Sequence, residues 1–91
     1  MPDDPLQKFA RTYAPGTVVF REGEAGDEMY IIQRGKGRVS KDFSGKPHLL
    51  AVLEKGEFFG EMAIVSRLNR SATVTTIDEV EALAFDRDGL L

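Results

Sequence analysis

Apolar and polar positions along this chain keep a helical period only briefly and then settle into the shorter rhythm of strands. Leu6, Phe9, Ala10 and Tyr13 recur at i, i+3, i+4 and i+7, the spacing of one helical face, behind Asp3 and Asp4, which suit a helix N-terminus. A short helix over Leu6–Tyr13 is therefore predicted. Pro15-Gly16 then gives a turn signal, and β-branched and aromatic residues follow in short runs: Thr17–Phe20, Met29–Ile32, Arg38–Phe43 and His48–Leu53. Between them stand Gly23-Glu24-Ala25-Gly26-Asp27, the close pair Gly35 and Gly37 of a tight hairpin, Ser44-Gly45-Lys46-Pro47, and Lys55-Gly56, all of turn-forming composition. Strands of this length joined by short turns predict an antiparallel sandwich, roll or barrel.

The rhythm breaks after Gly60, where Glu61–Ser66 can form about one and a half helical turns, too few to pack as a helix of its own. Arg70–Thr76 returns to strand. In Glu79–Phe85 the residues Val80, Ala82 and Ala84 alternate with Glu81, Leu83 and Phe85, which favours a last strand over a helix. Asp86–Leu91 reads as the start of a further element. Together these elements predict a single mainly β domain over residues 1–91, an antiparallel sandwich, roll or barrel with one short helix at its N-terminus and another after Gly60.

Composition narrows the chemistry. With 91 residues, 42% of them hydrophobic and 30% charged, the chain has enough apolar material for one modest core. A net charge of -3 disfavours direct binding of DNA or RNA, whose partners usually present a basic face. There is no cysteine and only one histidine, His48, so a thiolate or multi-histidine metal site is not expected. No secretory signal and no apolar run of bilayer length is present, and a cytoplasmic protein without membrane contact is expected.

The informative stretch is Phe58-Phe59-Gly60-Glu61-Met62-Ala63-Ile64-Val65-Ser66-Arg67-Leu68-Asn69-Arg70-Ser71-Ala72-Thr73-Val74. Gly60 allows close backbone approach to a ligand, and the helical turn after it turns N–H groups outward as an anion site. Arg70 adds a planar fork that matches phosphate oxygens. The Glu61 carboxylate only accepts hydrogen bonds, so it suits a sugar hydroxyl and repels a second phosphate. One anionic phosphate beside a free ribose hydroxyl satisfies all three.

This stretch resembles the phosphate-binding cassette of the cyclic nucleotide-binding domain family, whose pattern runs Phe-Gly-Glu-x-Ala, a short loop, then Arg-x-Ala. The nine positions from Glu61 to Arg70 fit it. Tyr13-Ala14-Pro15-Gly16, Glu22–Asp27, Tyr30–Gly35 and Leu53–Glu57 are similar to the family's other turn and strand motifs and occur in its order. The resemblance implies that Glu61 binds the ribose 2′-hydroxyl with the Gly60 N–H nearby, and that the Ala63 N–H and Arg70 hold the cyclic phosphate. Met62 and Ala72 complete the ligand-facing set. Ser71 stands where a hydroxyl can touch phosphate or a guanine, so both cyclic AMP and cyclic GMP fit, with cyclic AMP preferred. Asn69 departs from the proline common before the arginine. Family members also continue into helices that cap the base and relay the signal to an effector domain or partner protein, so the chain ending at Leu91 is expected to be truncated before its lid.

The resemblance implies an antiparallel, jelly-roll-like β-roll serving as a regulatory sensor domain, not an enzyme. The alternative is a β-roll that has lost its ligand and serves as a structural or interaction module; intact Glu61 and Arg70 argue against it. A cupin-like metal enzyme would need several histidines. Phe58, Phe59, Ile64, Val74, Leu83 and Phe85 are expected in the core, and Gly16, Gly23, Gly26, Gly35 and Gly56 are expected to serve turns alone.

Overall fold

A computed structural model describes residues 5–90 of the chain. Among these residues eight strands form two antiparallel sheets: β1 (Ala10–Tyr13), β8 (Val80–Asp86), β3 (Glu28–Arg34) and β6 (Phe58–Phe59) lie in that order in one, and β2 (Val18–Phe20), β7 (Thr73–Thr76), β4 (Gly37–Phe43) and β5 (Lys46–Leu53) in the other. One-turn helices α1 (Met62–Val65) and α2 (Arg87–Leu90) complete this β-roll. Its core joins Tyr30, Ile32, Phe59 and Ala84 of the first sheet to Val74 and Leu53 of the second, with Val19, Phe20 and Val39 packed against them.

The strand reading of Glu79–Phe85 holds for a reason visible in its burial. Strand β8 is flanked by β1 and β3, and both of its faces are covered: Ala82 and Ala84 are buried on one side, Leu83 and Phe85 on the other. Phe9 lies against Phe85 with ring centroids 4.7 Å apart. Between β4 and β5 a two-residue loop suffices, because Ser44 and Gly45 both take left-handed φ (55° and 77°), the geometry that matches strand twist. Pro47 thus belongs to strand and not to the turn; β5 is an edge, where a missing N–H costs no ladder bond.

Two element predictions fail. The helix over Leu6–Tyr13 is replaced by a 3-10 turn, Gln7–Phe9, running into β1. Ala10 to Tyr13 pair residue by residue with Leu83 to Val80, and the backbone groups of β8 would lack partners had this segment remained helical. Asp3 and Asp4 lie outside the described residues. Strand β7 begins at Thr73, since Arg70 spends its backbone on another loop: its N–H donates to Glu24 O at 2.8 Å and its carbonyl accepts from Gly23 N at 2.7 Å.

Phe58 is a further correction, 56% exposed where a core position was expected. In the two-residue strand β6 successive side chains point to opposite faces, so Phe59 takes the core and Phe58 cannot. Ile64 is only half-buried; Val74, Leu83 and Phe85 are core.

Candidate functional site

The site is assembled where β3 and β6 end together. Tyr30 pairs with Phe59, which brings the carbonyls of Glu28 and Gly60 to the same edge of the sheet. Both face Arg70: its Nη1 donates to Glu28 O at 2.9 Å and to Gly60 O at 3.3 Å. The Phe20 ring, reaching across from the other sheet, lies under the guanidinium at 4.0 Å from Cζ. Arg70 is 7% exposed, and its buried Nε has no hydrogen-bond partner. No carboxylate among the described residues pairs with it. A buried cation held by neutral groups, with a donor unspent, is half of an ion pair.

Gly26 explains how the guanidinium fits. This residue was expected to serve a turn alone, yet its φ is not left-handed; a Cβ there would stand 2.6 Å from Arg70 Nε. The hydrogen there leaves the space the guanidinium occupies. Gly60 does both jobs: its φ is 79°, and a Cβ there would stand only 2.9 Å from Arg70 Nη1. The sequence offers no sign of the Gly26 contact, which joins residues far apart in the chain.

A cavity of about 190 Å³ opens beside Arg70, and all seven predicted site residues line it: Gly60, Glu61, Met62, Ala63, Arg70, Ser71 and Ala72. Glu61 sits at the N-cap of α1 but makes no capping bond with its side chain. Its half-buried carboxylate accepts no hydrogen bond from the described residues and remains available. Ala63 is buried, with its N–H donating to Gly60 O at 3.2 Å. Ser71 and Asn69 are exposed at the rim, and Met62 and Leu68 present apolar surface beside them.

Sequence reading also missed a polar cluster behind the site. Arg11 of β1 grips the Glu28 carboxylate with both prongs, at 3.0 and 2.6 Å, and the Tyr30 hydroxyl donates to it at 3.1 Å. The Arg11 guanidinium holds the Glu28 carboxyl below its ordinary range, against the opposing pull of partial burial. Burial pushes Tyr30 up to about 12. Folding thus lowers the Glu28 value, so its contribution to stability is complete above the unfolded carboxyl's pKa, about 4.3, and is lost as pH falls through the lower folded one. With Arg11 half-exposed the effect stays below about 1 kcal/mol. Thermal melts should therefore show wild type losing roughly 2–4 °C more than Glu28→Gln between about pH 5 and about pH 3. Identical losses would show that the pair adds nothing.

The family model of the cyclic nucleotide-binding domain matches residues 10–91. The chain belongs to that family. It is 40% identical over 75 residues to the cAMP-dependent protein kinase regulatory subunit of Yarrowia lipolytica, covering 82% of this chain and 20% of the relative. With the CRP-like cAMP-activated global transcriptional regulator of Mycobacterium tuberculosis it shares 41% over 76 residues, 82% of this chain and 34% of the relative. The EAL enzyme Bd1971, solved in cAMP-bound and cGMP-bound forms, superposes with a TM-score of 0.84 at 32% identity, covering 90% of this chain and 22% of that one. The chain thus spans at most about a third of these proteins. Among the described residues no helix is long and apolar enough to cross a membrane.

Proposed function

We propose that this domain binds a cyclic nucleotide, cyclic AMP in preference to cyclic GMP, and passes on the binding event without chemical turnover. The observation that carries the proposal is Arg70: a buried guanidinium whose Nε lacks a partner, at the wall of a cavity that also holds the unengaged Glu61 carboxylate. A singly charged cyclic phosphate supplies the missing anion. Its oxygens are stronger acceptors than the Gly60 carbonyl to which the Ala63 N–H now donates at 3.2 Å, so that donor turns to the ligand. Glu61 accepts from the ribose 2′-hydroxyl, the Gly60 N–H lies alongside, and the purine extends over Met62 and Leu68 at the rim. Ser71 touches phosphate or base. The cAMP-linked names of the kinase regulatory subunit and the mycobacterial regulator support the preference; the EAL enzyme, solved in cAMP-bound and cGMP-bound forms, supports keeping cyclic GMP as the weaker ligand. An effector domain or partner protein outside these 91 residues would carry the output.

Calorimetric titration tests this directly. Cyclic AMP should bind, and 2′-deoxy cyclic AMP should bind more weakly, on the order of tenfold, because the carboxylate loses its donor. The loss stays far below the roughly 10⁴-fold seen when a closed site is deprived of a hydroxyl, since a half-exposed Glu61 rehydrates. No binding of any cyclic nucleotide would reject the function; equal binding of the two would remove Glu61 from the site.

A further inference from the structure

A carboxylate belongs to the very residue whose carbonyl Arg70 grips, yet Arg70 does not use it. Both prongs of Arg11 and the Tyr30 hydroxyl occupy the Glu28 carboxylate, while Glu28 O accepts from Arg70. Arg11 reaches it across an intervening strand. In the order β1-β8-β3 the two side chains line one pocket together with Ala84 of the strand between them. The Tyr30 hydroxyl donates to the Glu28 carboxylate, and its ring lies 6.0 Å from that of Phe20, on which the Arg70 guanidinium rests, so the two ionic groups flank one aromatic cluster.

We propose that Arg11 keeps the phosphate site open by occupying the Glu28 carboxylate, which would otherwise pair with Arg70. This rests on the assignment of Arg70 to the cyclic phosphate. A carboxylate and a phosphate compete for the same forked donors, and the unpartnered Nε is one that a carboxylate could take. Without Arg11, Glu28 keeps a full negative charge with Tyr30 as its remaining partner, beside a cation that lacks a counter-charge. Arg70 in the competing pair cannot bind ligand, so apparent affinity falls by the fraction left free. A pair populated about 90% of the time weakens binding about tenfold. Arg11 is therefore a positioning residue that never touches the ligand.

The test compares wild type, Arg11→Ala, and Arg11→Ala/Glu28→Gln by calorimetry with cyclic AMP. Arg11→Ala should bind about tenfold more weakly. Adding Glu28→Gln should recover most of that loss, because the amide keeps the backbone carbonyl and carries no charge to compete. Arg11→Ala binding as wild type would overturn the proposal. A double variant no better than Arg11→Ala would overturn it too, since a purely structural pair is not repaired by removing its second member. The Arg70 Nε–H resonance in ¹H–¹⁵N spectra provides a readout without ligand: it should shift in Arg11→Ala and return in the double variant. If wild type bound no cyclic nucleotide, the functional reading would fall while this shift could still be read; an unchanged resonance overturns the proposal whatever the calorimetry shows. All three proteins should fold, because the Arg11–Glu28 pair is half-exposed and contributes little to stability.

Discussion

Replacing Arg70 by leucine should reduce cyclic nucleotide affinity by at least about a hundredfold and leave the domain as stable as wild type or more so. Two charge-assisted hydrogen bonds at about 1.5 kcal/mol each amount to about 3 kcal/mol, or two decades of affinity. The stability half follows from burial: Arg70 is 7% exposed with no carboxylate partner among the described residues, and replacing an uncompensated buried charge by an apolar residue is commonly neutral or stabilising. Arg70→Lys should bind poorly as well, since a compact ammonium lacks the fork and loses the face of Phe20. Calorimetry paired with thermal melts separates the two effects. Near-wild-type affinity in Arg70→Leu would remove the phosphate from this residue, and a large fall in melting temperature would mean that the cation holds the fold.

Gly26→Ala should lose affinity on the order of tenfold to a hundredfold with a much smaller loss of stability. Its methyl would overlap the guanidinium, which Phe20 confines on another side and two carbonyls hold at its end. Overpacking a well-filled site costs typically about 1–3 kcal/mol. Here the group that yields is the tip of a long side chain, so the cost falls on the position of Arg70 and not on the backbone. The check is cyclic AMP affinity beside the melting temperature. Wild-type affinity in Gly26→Ala would show that the guanidinium has room to spare, contrary to the geometry.

Local patterns made much of this legible. The cassette was readable because its parts lie within one short stretch, where spacing and residue type carry the geometry, and all seven residues picked from it line the cavity. Strand β8 was readable from its alternation. What escaped depends on partners distant in the chain. Leu6–Tyr13 carries a helical period, yet β8 recruits its second half as a strand, a demand that no window of the segment contains. Phe58 and Phe59 are indistinguishable until pairing with β3 fixes which one faces inward. Gly26 stands among turn residues and looks like one of them; its reason is a side chain 44 positions away. The meeting of Arg11 and Glu28, 17 residues apart and across an intervening strand, leaves no trace in composition or spacing.

The order of strands also sets a timetable. Of the described strands β8 is the last to leave the ribosome, yet it lies between β1 and β3, two of the earliest. Until Val80–Asp86 has emerged, β1 has no neighbour in its sheet and β3 has only the two-residue β6. Strand β1 must therefore wait unpaired, and β3 half-paired, while the rest is made. Closing such distant pairings is slow, milliseconds to seconds for comparable all-β domains. Nascent chains halted before β8 should remain protease-sensitive, and protection should appear abruptly once that strand clears the exit tunnel.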